Sequence, residues 1–342
     1  MKELFESYYK KAEELMNEMT LEQKIAQMFL ARYQQKYVNE EIISENPGGY
    51  ILFGRDFDGH TKESITKKLR ANQLCSKIKM FFAVDEEGGT VCRVSSHREL
   101  REERFNSPLK LFKEGGLERI LRDSREKSNL LKEIGINVNL TPVVDIPTDI
   151  NSFMYNRAFG TSVEETSEYT QAIIAEMLYS KMISCMKHFP GYGDNVDTHT
   201  GIAIDLREYS EFESKDFHPF KKGIEVGAPM ILVNHNVINC MDKSYPASLS
   251  PKVHYILRNV LKFSGLIVTD DLKMNAVKEY AKNGEAAVQA VMAGNDVIIS
   301  SNFVEQKREV LNAVNDGRIS EEHINIAVRR ILSCKYNYGI IE

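Results

Sequence analysis

Short apolar runs recur along the chain, and each gives way to a burst of glycine, carboxylate or imidazole. Met80-Phe81-Phe82-Ala83-Val84 leads into Asp85-Glu86-Glu87-Gly88-Gly89, and Gly265 to Thr269 leads into Asp270-Asp271. The pattern predicts buried strands over 26–31, 50–53, 80–84, 136–144, 182–187, 229–234, 265–269 and 296–300. Apolar residues at helical spacing predict helices over 2–18, 39–45, 61–77, 107–114, 117–134, 163–180, 214–226, 251–262, 274–293, 303–316 and 320–335. Thr20 and Gln23 have the spacing of a capping box for a further helix, after which Ile25 to Ala31 reads as the first strand. Gly115-Gly116 reads as a break inside a helical stretch, too short to join two domains.

Strands that alternate with helices imply a parallel sheet covered on both faces. About eight such units predict a closed (β/α)8 barrel of the α/β class. An open doubly wound sheet is the rival, but no G-x-G-x-x-G fingerprint follows the first strand. A barrel carries its active site at the C-terminal ends of its strands, which is where the polar bursts stand. A length of 342 residues suits one large barrel with insertions, so a single domain over 1–342 is expected.

Hydrophobic residues make up 42% of the chain and charged residues 27%, which allows a sizeable core. A net charge of −5, with Lys and Arg spread evenly, points away from nucleic acid and membrane partners. The N-terminal MKELFESYYKKAEELMNEM has no apolar signal region, and no run approaches the roughly 18 apolar residues of a membrane span. The five cysteines are far apart and include no C-x-x-C, as reduced thiols would. A cytoplasmic location is the resulting expectation.

Candidate chemistry concentrates in Lys187 to Gly201, KHFPGYGDNVDTHTG, a polar loop leaving the run 182–187. Asp197-Thr198-His199 sets a carboxylate beside an imidazole, close enough to orient it and raise its basicity. Alone, such a triplet is most often solvated loop. Its company changes the reading, because Asp85, Arg93, Arg157, Lys187, His188, His235, Asp270 and Asp271 would share the same mouth. Glycoside hydrolysis fits this set, with Asp270 as nucleophile supported by Thr269, and His199 as acid and base held by Asp197. Asp85, Arg93, Arg157, Lys187 and His188 would then hold sugar hydroxyls. Taken alone, Asp270 also reads as a cap for a helix starting near Leu272. Metal-dependent hydrolysis through His188, His199, His235 and Asp270 is a second chemistry, disfavoured because no closely spaced H-x-H pair occurs; no metal or cofactor is expected. A sugar-binding barrel without activity is a third, disfavoured because buried charges are costly unless used.

Further segments accompany that loop in order. They are LEQKIAQMF at 21–29, GGYILFGRD at 48–56, AVDEEGGTVCRV at 83–94, GINVNLTPVVDI at 135–146 and NRAFG at 156–160, then DFHPFKKGIEVGAPMILVNH at 216–235, YPASLS at 245–250, GLIVTDDLKM at 265–274, AVMAGNDVII at 290–299 and AVRRIL at 327–332. Together with KHFPGYGDNVDTHTG, which is similar to K-H-F-P-G-H-G…D-S-H, they resemble the single-domain β-N-acetylglucosaminidases of glycoside hydrolase family 3, the NagZ type. The resemblance implies a retaining exo-enzyme that removes terminal β-linked N-acetylglucosamine from small glycans such as cell-wall muropeptides. It implies Asp270 as the nucleophile of a glycosyl-enzyme, His199 as acid and base with Asp197 as its partner, and Asp85, Arg93, Arg157, Lys187 and His188 on the sugar. A β-N-acetylglucosaminide phosphorylase and a β-glucosidase on the same scaffold stay open as alternatives, the first because a neutral imidazole adds no charge to repel an attacking phosphate. The chain departs from the family pattern at Tyr192 (usually His), Thr90 (usually Arg) and Glu86 (usually Gln), and its Asp-x-His loop is slightly shorter. Tyr192 and Thr90 border the sugar-binding groups and bear on specificity.

Overall fold

The computed structural model describes residues 3–36, 38–160, 162–195, 203–273, 277, 280 and 285–342. Among these, the strands are β1 Phe29–Arg32, β2 Gly49–Leu52, β3 Phe81–Val84, β4 Val138–Asn139, β5 Ile183–Phe189, β6 Ile204–Asp205, β7 Met230–Val233, β8 Val237–Ile238, β9 Leu266–Thr269 and β10 Ile298–Ser300. Eight of them form one sheet in the order β10-β1-β2-β3-β4-β5-β7-β9, every pair parallel. The outer strands of that order meet. Val268 bridges Val297, Thr269 N donates to Val297 O at 3.0 Å, and Ile299 N donates to Thr269 Oγ1 at 3.1 Å. The sheet therefore closes, and the fold is a (β/α)8 barrel.

Each strand lies where the apolar runs place it, with two instructive differences. The Thr20 capping box forms and starts the helix Leu21–Gln27, so Ile25 and Ala26 belong to that helix and β1 begins only at Phe29. The run 136–144 yields only Val138–Asn139 as strand, because Pro142 has no N–H for a central ladder. Beyond it the chain keeps contact with β5 through single bonds, Val144 N to Lys187 O at 2.8 Å and Lys187 N to Pro142 O at 3.1 Å. The short parallel pair β6/β8 was not anticipated, since two residues per strand leave no periodicity to read.

The outer layer follows the predicted helices closely. Val163–Tyr179 buries Tyr169, Ile173, Ile174 and Met177 and packs against Phe217–Glu225. Pro108–Glu133 is interrupted at Gly115 and Gly116, the expected break. Of the helix expected over 274–293, Ala286–Ala293 is described, and much of 274–284 lies outside the described residues. Among the described residues no helix is long and apolar enough to cross a membrane.

Every residue of β2, β3, β7 and β9 is buried. Burying each Leu, Ile, Val or Phe contributes about 1.5–3 kcal/mol. Packing at the start of β2 is tight enough to require glycine: a Cβ on Gly49 would lie 2.3 Å from Phe81 O and 2.6 Å from the Leu30 side chain. Exchange of Gly49 for alanine would thus push two neighbouring strands apart.

Candidate active site

Three consecutive carboxylates leave β3 in three directions. Asp85 faces the barrel mouth, where Lys187 Nζ donates to its Oδ1 at 2.6 Å and Arg93 stands 3.6 Å from its Oδ2. Glu86 turns into the following loop. Its Oε2 accepts from Arg93 N at 2.7 Å and Val94 N at 2.6 Å, and its Oε1 from Ser95 N at 3.1 Å. Asn139 on β4 fixes Glu86 from behind, accepting from its N–H at 3.0 Å and donating to its carbonyl at 3.1 Å. Glu86 thereby folds the loop that presents Arg93, whose guanidinium lies 5.5 Å from the ring centre of Phe53.

Glu87 points toward β5 and the loop after β4. Arg157 grips it at two points, 3.1 Å from Nε to Oε2 and 2.7 Å to Oε1, and Lys187 Nζ stands 2.7 Å from the same Oε1. Burial alone would raise the Glu87 carboxyl, but Arg157 and Lys187 overcome it and hold the group well below the usual carboxylate range. Burial would likewise lower Lys187, and Asp85 and Glu87 reverse that and keep it charged. In this wall Arg157 and Lys187 share the buried Glu87, and Lys187 also pairs with Asp85.

The register of β5 against β7 shifts between Met186 and Phe189, a local irregularity of the kind that re-aims side chains. Lys187 and His188, neighbours in sequence, both line the cavity. Asp145, at the end of the segment after β4, accepts from His188 Nδ1 at 2.7 Å and from His188 N at 3.1 Å, while its other oxygen accepts from Tyr192 N at 2.7 Å. That arrangement places the Nδ1 proton toward Asp145 and turns Nε2 toward Arg157, 3.4 Å away.

Asp270 follows β9 directly. Its N–H donates to Val233 O at 3.2 Å, and its Oδ1 accepts from Asp271 N at 2.8 Å. Thr269, expected to support Asp270, uses its hydroxyl oxygen to accept from Ile299 N at 3.1 Å and so serves barrel closure. His235 differs from expectation. It is fully buried and does not line the cavity; Nδ1 meets Ser248 Oγ at 2.6 Å and Nε2 meets the Asp271 carbonyl at 3.1 Å, so the ring braces the backbone beside Asp270. Asp271 borders the cavity and accepts from Ser301 Oγ at 2.5 Å.

These groups surround a cavity of about 800 Å³ at the C-terminal ends of the strands. Asp85, Arg93, Arg157, Lys187, His188 and Asp270 all line it, as do Thr90, Tyr192, Phe53 and Phe153. Asp197 and His199 lie outside the described residues. Among the described residues no cluster has the make-up of a metal site. A larger crevice of about 950 Å³ opens at the opposite end of the barrel, where Asp296 binds the guanidinium of Arg258 and, at 3.2 Å, that of Arg330. Those three charges pair with one another, at the end of the barrel where stability is built.

Sequence reasoning missed Glu87 and Asp145 as site residues. Glu87 stands just past β3 and Asp145 at the end of the segment after β4; both are visible as carboxylates, but their partners are 70 and 43 residues away.

The pattern of the glycosyl hydrolase family 3 N terminal domain matches residues 20–334. The chain belongs to glycosyl hydrolase family 3. A β-hexosaminidase of Nitrosomonas eutropha is 32% identical over 278 residues, covering 78% of this chain and 77% of that protein. A glycoside hydrolase family 3 β-N-acetylglucosaminidase from Paenibacillus sp. str. FPU-7 superposes with a TM-score of 0.87 at 27% identity, over 94% of this chain; the chain spans 63% of that protein's length. LpqI of M. tuberculosis, at 20% identity and a TM-score of 0.85 over 95% of this chain and 96% of that one, has the same fold. In this family 3 barrel, all the expected sugar-contact residues and Asp270 share one cavity.

Proposed function

We propose that this protein is a retaining exo-β-N-acetylglucosaminidase that works as one barrel domain over residues 1–342 without a metal or cofactor. The observation that carries the reading is the placing of Asp270 in the same cavity as Asp85, Arg157 and Lys187, which are tied together by ion pairs, and as His188 beside Arg157. A terminal sugar seated on those groups would have its hydroxyls held by paired donors and acceptors, with Asp270 available to the anomeric carbon.

In the proposed reaction an Asp270 oxygen bonds to the anomeric carbon as the bond to the leaving oxygen breaks. His199 gives its proton to that oxygen. Asp197 orients the imidazole. In the second half His199 takes a proton from water, the hydroxide oxygen bonds to the anomeric carbon, and the Asp270 carboxylate leaves, which restores the β configuration. Names of the relatives support the N-acetylhexosamine preference. We place the natural substrates among small cell-wall fragments of the muropeptide kind, met in the cytoplasm.

The test is turnover of an aryl β-N-acetylglucosaminide beside the matching β-glucoside, with and without phosphate, and with products identified. Free N-acetylglucosamine formed at a rate indifferent to phosphate and to chelators supports the reading. Sugar 1-phosphate as the main product would make the enzyme a phosphorylase, and preference for the glucoside would make it a glucosidase.

A further inference from the structure

We propose that Phe153 is the platform of a second sugar-binding subsite, which takes the apolar face of a pyranose attached through the scissile oxygen. The inference rests on the glycosidase reading and adds what the leaving group must look like.

Phe153 is 38% exposed and lines the cavity. A single exposed aromatic is ordinary on a protein surface. This one is held in place from two sides. Its ring centre lies 5.9 Å from that of Tyr192, and the Arg157 guanidinium is 5.2 Å from the same ring. Tyr192 is almost wholly buried and lies edge-on to His188 at 5.6 Å. The rings of Phe153, Tyr192 and His188 thus run in contact from the half-open mouth to the charged floor.

The backbone beneath Phe153 is fixed as well. Asp149 Oδ1 accepts from Asn151 N at 2.9 Å, and the Asp149 carbonyl accepts from Ser152 N at 2.9 Å. Asp194, in the loop after β5, accepts from Thr148 N at 2.9 Å and Asp149 N at 3.0 Å. Met154, fully buried beside Val143 and Tyr192, anchors the next position. An aromatic ring kept half in water on so constrained a turn is preorganised for a ligand.

The surroundings define its chemistry. The cavity that Phe153 lines is polar as well as aromatic: Arg157 stands over one side of the ring, and Thr90, Asn156 and Lys273 belong to the same lining. An aromatic face carries negative π density and attracts the polarised C–H groups of a pyranose, and the polar side chains of the same cavity suit hydroxyl and acetamido groups. The second unit is therefore a pyranose that presents an apolar C–H face, such as a second N-acetylated sugar.

The experiment compares wild-type protein with Phe153→Ala and Phe153→Trp. Three substrates are used: the β-linked N-acetylglucosamine disaccharide, an aryl β-N-acetylglucosaminide, and N-acetylglucosaminyl β-fluoride, whose leaving group is too small to reach the platform. Calorimetric titration of the disaccharide and of N-acetylglucosamine runs alongside. Phe153→Ala is expected to lower kcat/KM for the disaccharide about tenfold, to weaken disaccharide binding by a similar factor, and to leave the fluoride within about twofold. Phe153→Trp should restore the disaccharide. Equal losses on all three substrates would overturn the proposal and reduce Phe153 to a support for Arg157. Disaccharide binding no tighter than the monosaccharide would also overturn it. Failure of wild-type protein to turn over any of the three would count against the glycosidase reading instead, and the titrations would still decide on the platform.

Discussion

Glu87 and Arg157 form a two-point ion pair, 3.1 and 2.7 Å, in the wall behind the cavity, with the carboxylate almost wholly buried. The same carboxylate holds Lys187 at 2.7 Å, so one buried anion sets the position of two cations. Glu87→Gln would leave those cations facing a neutral amide in a place short of water. The expected outcome is a loss of stability of about 3–5 kcal/mol, together with a large rise in the sugar dissociation constant. Denaturant unfolding and sugar titration check both. A variant with unchanged stability and affinity would show that Arg157 and Lys187 hold their places without Glu87.

Asp145 and His188 make a second such unit. Asp145→Asn puts an NH2 group against one of the three N–H groups that the carboxylate accepts, from Tyr192 N, His188 N or His188 Nδ1. We expect kcat/KM to fall roughly 10–100-fold, as when an orienting partner of a functional histidine is removed. The loss should be similar for good and poor leaving groups, because His188 serves binding. A selective loss on poor leaving groups would instead make His188 a proton donor.

Lys335 offers a test of stability against pH. It is fully buried in the helix Glu321–Asn337, donates to Gln27 Oε1 at 2.7 Å and lies 5.0 Å from the ring centre of Phe81. Burial pushes its ammonium down to about 7, from an ordinary 10.5. The unfolded chain therefore holds one proton more than the folded protein between those two values, and stability owed to this group rises with pH through that window. Lys335→Met removes the term. The stability of the variant relative to wild type should be greatest at pH 7 and below and should decline by up to about 1.4 kcal/mol per pH unit toward pH 10. A difference independent of pH would mean that Lys335 stays charged in the fold.

Much of the architecture could be read from the chain because the barrel strands are buried on both faces and appear as short apolar runs closed by polar bursts. Asp85, Lys187, His188 and Asp270 were legible for that reason: each stands where a run stops. Their partners were not, since Glu87 meets Arg157, and Asp145 meets His188, only once distant strand ends are brought to one rim. The same limit explains His235. At a strand end it reads as a mouth residue, whereas Ser248 and the Asp271 carbonyl draw its ring into the wall. Local pattern also misjudged the start of β1, where the Thr20 cap extended a helix into an apolar run.

Trapping the glycosyl-enzyme tests the role of Asp270 most directly. A 5-fluoro-N-acetylglucosaminyl fluoride has a good leaving group and a destabilised oxocarbenium ion, so the intermediate builds up and can be located by peptide mass mapping. We expect a single sugar on the peptide containing Asp270, with time-dependent loss of activity, and neither in a folded Asp270→Gly variant. A protein that hydrolyses aryl β-N-acetylglucosaminide while carrying its label elsewhere, or an Asp270→Gly variant with wild-type turnover, would contradict that role.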